Sequence, residues 1–221
     1  MTGRDGATAG CGAEAPRDCP RCPRLGAFRR ANRGREPTWY NGAVSSFGGD
    51  GARLLIVGLA PGLKGANRTG RPFTGDFAGE LLYGALIEFG FARGTYAARP
   101  DDGLMLVDCM ITNAVRCVPP QNKPMPAEIA ACRPFLASRI ALLPRLAAIM
   151  ALGRIAHDST LAALGVRKAL YPFAHGADHA VRAGLRLFDS FHCSRYNTNT
   201  GKLTPDMFRA VIAAIKKHLA A

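Results

Sequence analysis

The sequence predicts an α/β fold, a three-layer sandwich in which helices cover both faces of a central four-stranded parallel sheet. Two observations support this prediction. Four short apolar segments alternate with segments whose apolar residues recur at helical spacing. Three of the apolar segments are followed by polar sequence rich in glycine or proline, which is typical of loops. A chain of 221 residues is long enough to build one such domain around a sizeable core.

The four predicted strands span residues 53–59, 104–115, 146–152 and 185–192. The first, RLLIVGL, and the second, LMLVDCMITNAV, are almost continuously apolar. Such runs are typical of strands that are covered on both faces, as the central strands of a parallel sheet are. Because helical sequence separates the strands along the chain, we expect them to pair in parallel.

The predicted helices span residues 77–91, 126–143, a segment from Gly153 to about Leu164, and 205–219. Pro134 falls inside the second of them, so we expect the helix to start or kink there. The last helix has Thr204 and Pro205 at its beginning, a pair that suits an N-cap followed by the first helical turn.

The two ends of the domain are also predicted from composition. Residues 1–18 are expected to form a disordered leader, and residues 19–221 a single domain. The leader contains Arg and Asp but no apolar core, so it does not resemble a signal peptide. No apolar stretch of the sequence is long enough to span a bilayer, and we expect a cytoplasmic protein without membrane association.

The charge of the chain is strongly positive. Lys and Arg number 29 against 16 Asp and Glu, which gives a formal net charge of +13. This balance favours a polyanionic partner such as nucleic acid. The alternative is a charge that serves solubility in a composition rich in Arg and Ala. Aromatic residues do not alternate with the basic ones in repeats, so a platform for stacking single-stranded bases is not indicated.

The seven cysteines suggest metal or redox chemistry before disulfides. Cys19 and Cys22, in CPRC, have the spacing that lets two thiolates reach one metal. A second pair of this kind is missing, so two remote cysteines would have to complete the site. Buried or incidental thiols remain the alternative at this point. The other cysteines are Cys11, Cys109, Cys117, Cys132 and Cys193.

Polar loops follow three of the predicted strands: GLAPGLKGANRTGRPFTGD (58–76), TNAVRCVPPQNKP (112–124) and HCSRYNTNTGKLT (192–204). In open α/β sheets, ligands bind where such loops meet at the carboxyl ends of the strands. We therefore expect Asp76, Asn113, His192 and Asn197 to lie close together, with Phe73 as a ring beside them. The first loop lacks the phosphate-loop and dinucleotide patterns, which argues against nucleotide hydrolysis and dinucleotide binding.

In order along the chain, these three segments resemble the motifs of the uracil-DNA glycosylase superfamily, most closely family 5, the type B enzymes of bacteria and archaea. The resemblance runs from about Cys19 to Leu203. It implies the uracil-DNA glycosylase-like form of the predicted fold. It also implies a monofunctional enzyme that flips a base out of DNA and removes it by hydrolysis in base excision repair. Its substrates would be uracil and other deaminated bases such as hypoxanthine.

The resemblance implies a role for each of several residues. Asp76 would stabilise the sugar cation or orient the attacking water, His192 would bind the departing base, and Asn197 would position His192 or the water. The residues that would bind the base are Gly58, Ala60, Phe73 and Asn113. Ala60 stands where most relatives of the superfamily carry a polar, water-activating residue, so that task is unassigned except provisionally to Asp76.

Families 4 and 5 carry a 4Fe-4S cluster on four cysteines, which correspond here to Cys19, Cys22, Cys117 and Cys132. Such a cluster would be structural, and the remaining cysteines would be free thiols. The partner would be double-stranded DNA, with single-stranded DNA as a further substrate, bound by a monomer associated with the prokaryotic nucleoid. The expected phosphate contacts are Lys64, Arg68, Arg71, Arg195 and Lys202.

The alternative is a non-catalytic DNA-binding module, held together by metal-bound cysteines, that recognises damaged DNA. It explains the charge and the thiols equally well. It does not explain why Asp76, His192 and Asn197 all fall in loops at strand ends.

Overall fold

The structure is a computed structural model that describes residues 12–220. Its helices are α1 (Pro23–Arg35), α2 (Ala66–Thr69), α3 (Phe77–Glu88), α4 (Pro126–Ala141), α5 (Arg154–Leu164), α6 (Arg195–Asn199) and α7 (Pro205–Ala220). Its strands are β1 (Phe47–Gly48), β2 (Leu54–Gly58), β3 (Ala92–Arg93), β4 (Met105–Leu106), β5 (Cys109–Asn113), β6 (Ala148–Leu152), β7 (Asp178–Arg182) and β8 (Leu185–Ser190).

The central sheet has six strands in the order β1-β5-β2-β6-β8-β7. Its four inner strands run parallel to one another, which confirms the predicted four-stranded parallel core. The two edge strands, β1 and β7, are antiparallel to their neighbours and were not predicted. The pairing places Gly58 beside Asn113 at the carboxyl ends of β2 and β5. A separate two-stranded sheet is formed by β3 and β4.

Alternate residues of β2 belong to two different apolar cores. Leu54 and Ile56 pack with residues of α3 and α7, whereas Leu55 and Val57 pack with residues of α4 and α5. The period of two along a strand sends successive side chains to opposite faces of the sheet. The sheet is thus covered by helices on both sides, and the three-layer prediction is confirmed.

The predicted helices form with small differences in their ends. Helix α4 begins at Pro126 and continues through Pro134. The expectation that the helix could start at Pro134 is therefore wrong. Helix α1 was not predicted. Its sequence is rich in arginine, and Leu25 is the one large apolar side chain among its buried residues, so it lacks the apolar periodicity of a typical helix. Among the described residues, no helix is long and apolar enough to cross a membrane.

The domain begins earlier than the predicted boundary at Cys19. Ala13 and Ala15 are buried, and Glu14 forms ion pairs with Arg116 and Arg139. Residues 12–18 therefore pack against the domain, which corrects the prediction for that part of the leader. Residues 1–11, including Cys11, lie outside the described residues, so the prediction for them stays a prediction.

Candidate active site

A cavity of about 390 Å³ opens at the carboxyl ends of β2, β5 and β8. The three loops that the sequence places after these strands all contribute to its wall. Four predicted site residues, Phe73, Asp76, Asn113 and His192, line it, together with Ala60. Parallel strands end at the same edge of a sheet, which is why loops so far apart in sequence meet here.

Asn113, the last residue of β5, brings an unpaired amide to the cavity. The residue is 3% exposed, and its Oδ1 atom is buried without a hydrogen-bond partner. Gly58 lies directly beside it, and a Cβ atom at that position would stand 2.4 Å from Oδ1 and 2.6 Å from the ring of Phe73. Gly58 thus shapes the site by leaving room for the amide and the ring.

Phe73 forms one wall of the cavity. Its ring stacks on the imidazole of His192, with centroids 5.9 Å apart and planes at 29°. The backbone of Phe73 has a φ of 52°, in the left-handed region that non-glycine residues rarely adopt. Such strain persists only when surrounding contacts impose it, and it is concentrated at functional sites.

His192 follows the end of β8 and lines the cavity with an uncharged ring. Burial lowers the pKa of His192 to about 4, so the imidazole is neutral near pH 7. No hydrogen bond to its ring is made by the described residues. Asn197 Nδ2 donates to the backbone carbonyl of His192 at 2.8 Å, and Ser194 caps the short helix α6 that carries Asn197. Asn197 therefore contacts the backbone of His192 and not its ring.

Asp76 stands at the N-cap of α3 with its carboxylate against the glycine-rich loop. A Cβ atom at Gly65 would lie 2.1 Å from Asp76 Oδ2, and one at Gly62 would lie 2.8 Å from it. These glycines therefore make space for the acid. Burial raises the pKa of Asp76, an effect that the backbone N–H groups of Gly79 and Ala78 partly offset. Its Oδ1 atom is buried without a hydrogen-bond partner.

Ala60 is half-buried in the cavity wall and brings no polar group to it. Asp76 is the one carboxylate among the residues that line the cavity. The lining also contains residues that the sequence analysis did not single out: Leu59, Pro61, Gly62, Ala66, Phe77, Ala78, Asn122 and Ser194. Asn122 belongs to the polar loop after β5, and its position in that loop is the sequence feature that could have identified it as a site residue.

Four of the five predicted phosphate-binding cations are exposed: Lys64, Arg68, Arg195 and Lys202. Arg195 also lines the cavity, and its guanidinium lies 5.3 Å from the ring centre of Phe77. These cations lie in the loops that follow β2 and β8, the loops that also line the cavity.

Arg71 is the exception, and its prediction as a phosphate contact is wrong. The residue is 6% exposed, and its guanidinium forms two hydrogen bonds with the carboxylate of Asp102, at 2.8 and 2.7 Å. Both of these bonds would have to break before Arg71 could reach a phosphate. The charge of this residue is already compensated inside the protein.

The four cysteines predicted as ligands lie together around one small pocket, remote in sequence but adjacent in space. Cys19, Cys117 and Cys132 are buried, and Cys22 is half-buried among apolar neighbours. Burial raises the pKa of Cys117 to about 12 and that of Cys132 to about 11. Thiols in such surroundings are inert unless a cation binds them. Cys109 and Cys193 are buried elsewhere.

The spacing of these thiols does not suit a single ion. Within the described part of the chain, three residues have ligand atoms close enough together to bind one ion: His157, His179 and Asp189. The cysteines of this part of the chain do not form such a group. An iron–sulfur cluster takes four cysteine ligands, as zinc does, and being larger than one ion it accepts thiols that lie farther apart. The cysteine set is therefore compatible with the cluster that the resemblance implies.

Comparison with known proteins gives a consistent result. Residues 45–216 match the model of the family described as "Uracil DNA glycosylase superfamily". The chain is 46% identical over 206 residues to a "Type-5 uracil-DNA glycosylase" of Thermus thermophilus, a match covering 90% of this chain and 93% of that protein. It is 38% identical to a "Type-5 uracil-DNA glycosylase" of Pyrobaculum aerophilum, over 88% of this chain and 86% of that one.

A "Type-4 uracil-DNA glycosylase" of Pyrobaculum aerophilum is more distant, at 35% identity over 70% of this chain and 65% of its own. The type-5 proteins thus match over a greater length and, in the Thermus case, at clearly higher identity. The resemblance stated from the three motifs is confirmed: the chain belongs to the uracil DNA glycosylase superfamily and, within it, to the type-5 group.

Proposed function

We propose that this protein removes uracil from DNA by hydrolysis of the bond between the base and its deoxyribose. The observation that carries the proposal is the cavity itself. Asp76 and Asn113 line it, each with a buried side-chain oxygen that has no hydrogen-bond partner. The rings of His192 and Phe73, which stack on each other, form an aromatic wall. The printed names of the relatives support the same activity.

The base would enter the cavity after it leaves the DNA stack. A base inside a duplex is unreachable, and extrusion costs a few kcal/mol of lost stacking and pairing. Phe73 is suited to stack on the extruded ring, and the amide of Asn113 offers both a donor and an acceptor to the polar edge of uracil. The unpaired Oδ1 of Asn113 would then gain a partner from the substrate.

His192 would stabilise the departing base. When the glycosidic bond breaks, negative charge grows on the base, and a preorganised N–H donor stabilises that charge in the transition state. A neutral imidazole can act in this way, and the low pKa of His192, about 4, keeps it neutral. Asn197 supports this role by holding the backbone carbonyl of His192 at 2.8 Å.

Asp76 would act on the sugar. A carboxylate about 4 Å from the developing positive charge gives about 4 kcal/mol at an effective dielectric constant near 20, which is about a thousandfold in rate. The same carboxylate can orient the attacking water, since Ala60 brings no polar group. No lysine is among the residues that line the cavity, so the nucleophile is water and the enzyme is monofunctional.

Cys19, Cys22, Cys117 and Cys132 would hold a 4Fe-4S cluster with a structural role. A cluster here would tie the segment before α1 to the loop after β5 and to α4, where the four thiols already meet. The hydrolysis described above transfers no electrons, so no step of it needs the cluster. Visible absorption and iron content of protein purified without oxygen, compared with a Cys132→Ala variant, would test this assignment.

DNA would approach over Lys64, Arg68, Arg195 and Lys202, which are exposed in the loops after β2 and β8. We propose duplex DNA as the main substrate, single-stranded DNA as a further one, and a monomer as the acting species. Hypoxanthine is proposed as a second base, since the amide and imidazole in the cavity are not specific to one ring system.

The deciding experiment is a base-release assay on duplex and single-stranded DNA with one uracil, and on a matched duplex with hypoxanthine. We expect free uracil and an intact abasic strand. His192→Ala should lose most of the release while DNA affinity changes little. Absence of uracil release by the wild type, or a covalent adduct trapped by borohydride, would contradict the proposal.

A further inference from the structure

The buried pair of Arg71 and Asp102 joins the loop of the cavity to the segment between β3 and β4. The side chains are 7% and 0% exposed, and two parallel hydrogen bonds link them at 2.8 and 2.7 Å. Asp102 also accepts from the backbone N–H groups of Ala97 and Leu104, at 2.9 and 3.1 Å. Every donor around this carboxylate is therefore used to fix one chain segment against the other.

Arg71 also closes the turn that carries Phe73. Its Nε donates to Thr74 Oγ1 at 2.7 Å, and the N–H of Thr74 donates to the carbonyl of Arg71 at 3.3 Å. Pro72 stands at the second position of this four-residue turn and Phe73, with positive φ, at the third. These are the features of a type II turn, in which the third position normally requires glycine.

Two tyrosines hold the carbonyl groups of the same turn. The hydroxyl of Tyr83 donates to the carbonyl of Pro72 at 2.6 Å, and that of Tyr96 donates to the carbonyl of Phe73 at 3.2 Å. Both rings lie against the guanidinium of Arg71, at 5.6 and 6.0 Å from their centres. The guanidinium of Arg71 thus packs against both tyrosines whose hydroxyls hold the turn.

We propose that the Arg71–Asp102 pair is a positioning device for Phe73: it imposes the strained turn that keeps the ring stacked beside His192 and ready for the base. The inference rests on the proposed function, since it concerns the same cavity. The positive φ of Phe73 does not stabilise the backbone, because a bulky side chain is strained in that region of φ. Other contacts must therefore hold the residue in this conformation. Of the contacts that hold this turn, Arg71 makes the bond to Thr74 Oγ1 and packs against both tyrosines, and Asp102 fixes Arg71.

The test compares Asp102→Asn with Asp108→Asn. Asp108 accepts from Arg53 Nε at 2.6 Å and from the N–H of Arg53 at 3.0 Å, before the start of β2 and so at the opposite end of the sheet from the cavity. We expect Asp102→Asn to lower the single-turnover rate of uracil release at saturating DNA about tenfold to a hundredfold, as misplaced binding groups do. DNA affinity should stay within about twofold, and Asp108→Asn should change neither quantity by more than that.

The link through Phe73 is tested by a double-mutant cycle and by hydrogen exchange. If the pair acts through the ring, Asp102→Asn added to Phe73→Ala slows release by no more than about twofold beyond Phe73→Ala alone. Amide exchange of residues 71–75 should also rise in Asp102→Asn but not in Asp108→Asn. Should Asp102→Asn fail to fold, Arg71→Lys keeps the charge and loses the two parallel bonds.

A full additional loss in the double variant, equal losses in Asp102→Asn and Asp108→Asn, or unchanged exchange over residues 71–75 would overturn the inference. The exchange measurement needs no substrate. Failure of the wild type to release uracil would therefore count against the proposed function alone, while unchanged exchange would count against the positioning role alone.

Discussion

Asp76 and Asp102 both follow Phe73 in sequence, and the surroundings of the two carboxylates are opposite in kind. Asp102 receives hydrogen bonds from Arg71 and from two backbone N–H groups, and the bonds with Arg71 hold its pKa well below the ordinary value. Asp76 has no cationic partner, one of its oxygens is unpaired, and burial raises its pKa. One carboxylate holds the fold and the other faces the cavity.

Two histidines show the same contrast. His157 is fully buried, and its two ring nitrogens lie 2.7 Å from Asp189 Oδ1 and 2.8 Å from the carbonyl of Tyr171. Both partners can accept, so this arrangement favours the protonated ring, which donates from both nitrogens. Burial opposes that charge, but Asp189 outweighs it and raises the pKa of His157. Because both nitrogens of His157 face acceptors, the protonated ring has no free lone pair for a metal ion.

We infer from this contrast that the compensated groups stabilise the fold and that the groups without a charged partner belong to the proposed reaction. Charges needed for the fold are compensated inside the protein, whereas Asp76 and His192 line the cavity without a charged partner among the described residues. An uncompensated buried group costs stability, and such costs persist mainly at functional sites. The following predictions test this contrast.

The largest effect is expected from Asp76→Asn, which removes the uncompensated charge. The single-turnover rate of uracil release should fall about a thousandfold, since about 4 kcal/mol of transition-state stabilisation is lost. Because burial raises the pKa of Asp76, the acid limb of the wild-type rate profile should lie above the ordinary range of an aspartate. Asp178→Asn, on the edge strand β7, is the control. A rate within about tenfold of the wild type would assign the sugar-stabilising role elsewhere.

His157→Gln should be the largest change to stability, because it leaves Asp189 buried without its cation. Breaking a buried pair costs about 3–5 kcal/mol, or a fall in Tm of about 10 °C for a chain of this size. The pKa of His157 is raised in the folded state, so the pair stabilises fully below about pH 6.5 and its contribution is lost as pH rises through the raised value.

Thermal unfolding of the wild type and His157→Gln at acid and alkaline pH checks this prediction, with His218→Gln as the control. The Tm difference between wild type and variant should be largest on the acid side. An equal difference at every pH would show that His157 is neutral in the folded protein. Uracil release well below the unfolding transition should change by no more than about twofold.

The sequence could predict the inner sheet because burial on both faces leaves a clear mark. Residues 53–59 and 146–152 are apolar almost throughout, and the corresponding strands are fully buried. The edge strand β7 has only Val181 buried, so its composition resembles a loop. Helix α1 has no apolar stripe; its buried Arg29 donates to the backbone carbonyl of Cys19 instead. Such an interaction leaves no periodic pattern in the sequence.

The site shows the same limit. Asp76, Asn113 and His192 could be found because each lies in a polar loop directly after or beside a strand end. The burial of Arg71 and its ion pair could not be predicted, because its partner Asp102 is 31 residues away in a segment without a motif. A positive charge in a loop is the same in sequence whether it faces solvent or a buried carboxylate. Only the fold distinguishes the two.

The salt dependence of DNA binding separates exposed cations from the buried one. Four exposed cations near the cavity predict an affinity that falls about a hundredfold between about 50 and 200 mM salt. Arg68→Gln should reduce the slope of log affinity against log salt by about one. Arg71→Gln should leave the slope unchanged, because Asp102 already compensates the charge of Arg71 inside the protein. A slope reduced by about one in Arg71→Gln, as in Arg68→Gln, would show that Arg71 contacts a phosphate.

The smallest effect, and the most direct comparison of the two carboxylates, is on stability. Asp76→Asn removes a buried charge without a cationic partner, and an unsatisfied buried group costs about 1–3 kcal/mol, so Tm should rise by a few degrees, about 2–6 °C. Asp102→Asn, measured in parallel, should lower Tm because it weakens the bonds with Arg71. The pKa of Asp76 is raised in the folded state, so its ionisation destabilises the protein as pH rises, and the gain in Asp76→Asn should shrink in acid. A fall in Tm for both variants would mean that the Asp76 carboxylate, like that of Asp102, stabilises the folded protein.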